Sequence, residues 1–263
     1  MFSTSRSVGK RLKLIACEIA FREMCLVAAQ SRNVVDLEFL TKGLHDIERA
    51  DMQTRLQARI DAVDTDQYEA ILLGYGRCSD GVVGLRARSI PLVIPRAHDC
   101  ITFFLGSKEC YRDYFDTHPG TYFRTSGWIE REFANEAQGV MAKLGLDKSY
   151  EQYVAEHGKE NADFIWQSLA SWQANYERLT FIETGVGIEL RYAERVRTEA
   201  ADRGWAYERL DGSLALLRRL FDGDWAEDAF LVVPPGHTIA SCNDERILDA
   251  VGPSSPSVGE ASP

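Results

Sequence analysis

The sequence contains no apolar run of about 18 residues, so no membrane-spanning helix and no membrane partner are expected. It has no surplus of positive charge: 30 Lys and Arg stand against 40 Asp and Glu, a net charge of -10. Non-specific nucleic-acid binding needs a basic surface, so no nucleic-acid partner is expected either. The glycine patterns GxGxxG and GK[ST] are both missing, which removes the usual cradles for dinucleotides and nucleotide phosphates; no nucleotide cofactor is expected. There is no CxxC pair, the compact spacing that marks many zinc and iron–sulfur sites. The basic start MFSTSRSVGKRLK is followed by LIACEIAF, too short and too soon interrupted by charge for a signal peptide. The expected location is the cytoplasm, where thiols stay reduced. Six cysteines at irregular spacing then read as core residues, ligands or nucleophiles rather than a disulfide framework.

What is present is an alternation of short apolar runs with amphipathic stretches. LKLIACEIA (12–20), AILLGYG (70–76) and IPLVIPR (90–96) are continuous apolar runs of the kind buried in parallel sheets, and VVDLEFL (34–40) alternates. Helices are predicted at FREMCLVAAQS, over 47–64, from GVVGL onward, and over 98–115, where HPG stops the last. Residues 134–178 carry a helical pattern with breaks near 144–149 and 157–158. A second alternation runs from LTFIETG (179–185) through IELRYAERVRTEAADRG, WAYERLDG and SLALLRRLFDG to a final strand and turn in DAFLVVPPGHTIA. The fold class is therefore α/β, two Rossmann-like lobes with mainly parallel sheets joined by a helical segment. The boundaries are a flexible lead 1–11, lobe 1 at 12–120, a connector with helices at 121–177, lobe 2 at 178–250 and a disordered tail 251–263. A single sheet shared by both halves is the alternative.

Three cysteines follow buried runs: Cys17, Cys78 and Cys100. If those runs are neighbouring strands, the thiols meet on the rim outside the carboxyl ends of the sheet, where open α/β folds bind ligands. Thiolates bind zinc and iron–sulfur clusters, and His98, two residues from Cys100, is a candidate fourth ligand. The plainer reading is that all three are small buried apolar residues. Cys25 and Cys110 lie in helical patterns and are assigned to structure, and Cys242 to an incidental loop position. Cys100, with His98 or His45 as base, also forms a candidate nucleophile pair. Arg77 and Arg96 flank the rim and are candidates for binding a carboxylate or phosphate; pairing with Glu18, Asp80 or Asp99 is the alternative. The aromatic connector GTYFRTSGWIE offers Tyr122 and Glu130 as substrate-binding groups, or simply fills an apolar gap. ETGVGIE (183–189) is a strand–glycine–helix junction that reads as an anion site or as a tight turn.

The blocks LIACEI, FLTKGLHD, ILLGYGRCSDGVVGL, LVIPRAHDCITFFLGS and PGTYFRTSGWIE together resemble the DUF1638 family over about 12–240, most densely in 70–130. The resemblance implies a setting among methylamine and corrinoid methyltransferase systems, hence methyl or one-carbon metabolism and a corrinoid or methyltransferase partner protein. The expected function is a metal-dependent transferase or lyase with a three-cysteine centre, zinc or [4Fe–4S], acting on a small anionic substrate. The alternatives are a non-enzymatic metal- or corrinoid-binding accessory, weakened by the missing DxHxxG corrinoid signature, and a metal-free thiol enzyme.

Overall fold

The computed structural model describes residues 9–41, 49–133, 150–173 and 176–252. The chain divides into two compact units, one formed by 1–108 together with 214–263 and the other by 109–213.

The first unit is built on a five-stranded sheet of order β2-β1-β3-β4-β8. Its strands are β1 (Arg11–Cys17), β2 (Val34–Leu40), β3 (Ala70–Gly74), β4 (Leu92–Pro95) and β8 (Phe230–Val233). The first four run parallel, and β8 closes the edge antiparallel to β4. The sequence says why β1, β3 and β4 are interior. Every residue of β3 and β4 is buried, whereas β2 at the edge is mostly half-buried, which matches its alternating pattern. Helix α1 (Phe21–Gln30) connects β1 to β2, and α2 (Arg49–Asp61) connects β2 to β3, burying Met52, Leu56 and Ile60 at fourfold spacing.

The helix expected over 98–115 is two: α3 (Ile101–Leu105) and α4 (Lys108–Thr117). The break falls at Gly106, whose φ of 85° ends α3 in the left-handed conformation open to glycine. GVVGL does not open a helix. Residues 81–84 are successive turns leading to an isolated bridge from Arg86 to Thr238.

The second unit carries a parallel sheet of order β5-β6-β7, with β5 (Thr121–Arg124), β6 (Arg178–Glu183) and β7 (Ala206–Asp211). Its helices are α5 (Ser126–Phe133), α6 (Tyr150–Gln173), broken at Gly158 as expected, and α7 (Tyr192–Arg203). Ile129, Leu179, Phe181, Val196 and Ala200 form its core. On the flank of that core the buried Arg124 grips Glu199 through Nη2 at 2.6 Å and Nε at 3.2 Å. Burial opposes ionisation of Glu199, but the hydrogen bond and charge of Arg124, with Arg203 added, outweigh it and hold the carboxyl below its ordinary range.

The fold class is thus α/β with mainly parallel sheets, and its division along the chain differs from the expected 12–120 and 178–250. The 121–132 segment is not a connector; it supplies β5 and α5 of the second unit. The stretch after 213 returns to the first. Helix α8 (Ala215–Asp222) buries Leu216, Leu217, Leu220 and Phe221, and its last turn is tied to the end of α1 by Ser31 and Asn33, which donate to the Phe221 carbonyl. Beyond β8, β9 (Thr238–Ser241) and β10 (Leu248–Val251) form a hairpin where one strand and a turn were expected. The break expected at 144–149 and most of the lead and tail lie outside the described residues.

Candidate functional site

Parallel order 2-1-3-4 reverses direction between β1 and β3, and ligands in such sheets bind in the crevice at that reversal, outside the carboxyl ends. Cys17 is the last residue of β1, one step beyond the Ala16–Gly74 pair, and Cys78 lies four residues past the end of β3. Cys100 follows β4, the next strand along. The three cysteine-bearing strands are therefore consecutive neighbours.

The loops after β3 and β4 are bolted together. The Arg77 amide donates to the Ala97 carbonyl at 2.8 Å. Gly76 lies so close to the backbone of Asp99 that a Cβ on it would sit 2.7 Å from the Asp99 Cα. Only glycine permits that approach. The amides of Cys100, across this approach, and of Cys78 and Gly76 in its own turn act on the Cys78 thiol. Burial pushes the Cys78 thiol up to about 11, Asp99 adds to the rise, and the three amides pull partly against it. At neutral pH this thiol is protonated, and a metal bound there must displace the proton. Tyr75, which residue patterns gave no reason to single out, is buried beside Cys17 and Cys78. Burial first, then those two sulfurs, raise its phenol above the ordinary range.

A third segment completes the rim. Arg77 donates through Nε to Asp80 at 2.7 Å and through Nη1 to the Cys242 carbonyl at 3.1 Å. Arg96, 4% exposed, donates to the carbonyls of Glu227 (2.8 Å), Arg246 (2.7 Å) and Leu248. Lys108 Nζ reaches the Glu245 carbonyl at 2.9 Å. The 242–248 loop of the β9–β10 hairpin is thereby pinned by three cations, with the buried Ile247 held at a φ of 65°, a strained conformation for a β-branched residue.

Several expected roles change. The Arg96 guanidinium, expected to meet a substrate anion, is instead buried against three backbone carbonyls. Arg77 keeps part of its surface open, yet its side chain orders the Cys78 turn and the hairpin. Tyr122 packs against the core of the second unit, and Glu130 accepts a hydrogen bond from the Tyr192 hydroxyl at 2.8 Å. They stand on β5 and α5 of the second unit, not on the rim that carries the cysteines. His98 is exposed, and His45 lies outside the described residues. Cys242, expected to be incidental, has its backbone on the rim. Cys25 is half-buried, with its thiol raised by burial, and Cys110 is exposed. Among the described residues, no three His, Cys, Asp or Glu side chains stand arranged to hold a metal ion, so Cys17, Cys78, Cys100 and His98 do not form a ready-made ligand set. The ETGVGIE junction of the second unit borders a cleft of about 30 Å³, room for about one water, and reads as the tight turn.

These features define an α/β protein with a cysteine-bearing rim at the reversal point of a parallel sheet. The chain belongs to the DUF1638 family, whose model, described as a protein of unknown function, matches residues 39–221. That span is narrower than the expected 12–240, and it includes Cys78, His98 and Cys100 but not Cys17. No curated protein matches the chain, and no solved structure does. Among the described residues, no helix is long and apolar enough to cross a membrane.

Proposed function

We propose that the first unit is a metal-dependent enzyme whose centre is carried by Cys17, Cys78 and Cys100, acting on a small anionic substrate. One observation carries the reading: three consecutive parallel strands each deliver a cysteine to the same rim, at the point where such sheets bind ligands. Assembly requires at least one thiol to rotate toward the others, because no three ligands are pre-set. Cys78 itself, its thiol held near 11, is idle as a free nucleophile at neutral pH, and a metal coordinated there would have to displace its proton. Zinc or a [4Fe–4S] cluster on three cysteines would keep one coordination position open for substrate. Gly76 and Arg77 hold the Cys78 turn in place, and Arg96 fixes the hairpin beside it. The methyl-transfer setting, and with it a corrinoid or methyltransferase partner, rests on the family resemblance alone.

The test is anaerobic purification followed by assay of zinc, iron and sulfide. Stoichiometric zinc, or about four irons with sulfide as [4Fe–4S] requires, is expected in the wild type. Cys17→Ala, Cys78→Ala and Cys100→Ala should each lose the metal while circular dichroism stays unchanged; Cys25→Ala and Cys110→Ala should keep it. A folded, freshly made protein with neither metal overturns the reading.

A further inference from the structure

With Arg96 held by three carbonyls and Arg77 shared between Asp80 and the Cys242 carbonyl, the anionic end of a ligand calls for another partner on the same rim. A cleft of about 580 Å³ opens there at the carboxyl end of β2, lined by Phe39, Leu40, Thr41, Arg55, Ala58 and Arg59. Its size suits a small ligand. Leu40 is the cross-strand partner of Cys17, so the cleft begins one strand, about 4.8 Å, from the first rim cysteine.

The charges do not cancel locally. Glu38 is claimed by Lys13 at 2.9 Å and lies 3.6 Å from Arg59, whose side chain remains 57% exposed. Arg55 makes no ion pair among the described residues. Among the described residues that line the cleft, the charged side chains are Arg55 and Arg59, both positive in a chain of net charge -10. Arg55 and Arg59 are four apart on α2, so their guanidiniums share one face, a like-charge spacing that weakens a helix. Ala58 between them leaves space, and Leu40, on the same strand face as Glu38, supplies an apolar wall.

We infer that this cleft binds the anionic group of a small organic ligand, a carboxylate or phosphate on an apolar body, with Arg55 and Arg59 as its charge partners. The inference deepens the proposed function and rests on it only in calling the ligand a substrate. Binding is measured by calorimetry with inorganic phosphate and with hexanoate, on wild type and on the double variant Arg55→Gln/Arg59→Gln. At least one probe should bind wild type with a dissociation constant below about 10 mM. The double variant should bind it at least about tenfold more weakly, as loss of charge-assisted hydrogen bonds implies. Arg112→Gln in the second unit should bind as wild type does. A hexanoate preference assigns a carboxylate with an apolar body, and a phosphate preference assigns a phosphorylated ligand. Failure of both probes, or equal affinity in the double variant, overturns the inference. Metal assayed on the same samples separates the two readings. If the wild type holds no metal yet the double variant loses probe binding, the anion site stands and the cysteine centre falls.

Discussion

Arg96→Gln is expected to lower the thermal midpoint by roughly 6 to 12 °C, corresponding to about 3 kcal/mol. The guanidinium is 4% exposed and serves three carbonyls from two segments, Glu227 on one side and Arg246 and Leu248 on the other. Its removal leaves those acceptors without their donor and releases the hairpin from β4. Relief of the desolvated charge offsets part of the loss, which keeps the figure below the full cost of three charge-assisted bonds. Arg96→Lys should recover less than half, because a point charge cannot replace a planar fork that meets three acceptors. Hydrogen exchange localises the effect: the Cys242 amide, bonded to the Ile247 carbonyl at 2.9 Å, should lose protection. An unchanged midpoint with unchanged exchange in 242–251 would falsify the clamp.

Gly76→Ala should cost about 2 kcal/mol, or roughly 4 to 8 °C in the midpoint. The added methyl meets backbone rather than a side chain, with Asp99 Cα, C and N at 2.7, 2.8 and 3.0 Å. Nothing flexible can yield, so the loops after β3 and β4 must part. The bond from the Arg77 amide to Ala97 stretches and the amide pocket around Cys78 opens. As burial is lost, the Cys78 thiol should fall from about 11 toward its ordinary value of 9.0. Alkylation of Cys78 at pH 8 in metal-free protein should then speed up by at least about tenfold, since the thiolate is the reacting form. Wild-type stability together with a wild-type alkylation rate would show that the close approach at Gly76 does not order the rim.

The interior strands were legible because burial on both faces writes a continuous apolar run, and AILLG and LVIP are such runs. That β1, β3 and β4 are neighbours was a condition the apolar runs left open, since none of them carries its partner's address, and the sheet order meets it. The partner of FLVV was not legible. A four-residue apolar run carries no direction and no address, so its antiparallel pairing with β4, far earlier in the chain, emerges only in three dimensions. The same distance hid the role of Arg96. An arginine after a strand reads as an anion binder until the hairpin carbonyls that occupy it, contributed about 150 residues later, are known. Tyr75 sat in plain view within GYG, where the flanking glycines drew the reading toward a turn. Arg55 and Arg59 lie in the helix expected over 47–64, where nothing in the sequence sets them apart from its other charges; the cleft beside them does.

The central claim is that the three rim cysteines act on one metal, and X-ray absorption at the zinc or iron edge of anaerobically purified protein tests it most directly. At a zinc edge three sulfur scatterers at about 2.3 Å are predicted, at an iron edge a shell of thiolate and bridging sulfide with iron neighbours beyond it, and in either case the metal and its sulfur shell are lost when Cys78 is replaced by alanine. A shell of nitrogen and oxygen alone, or a sulfur count unaffected by that replacement, would contradict the account.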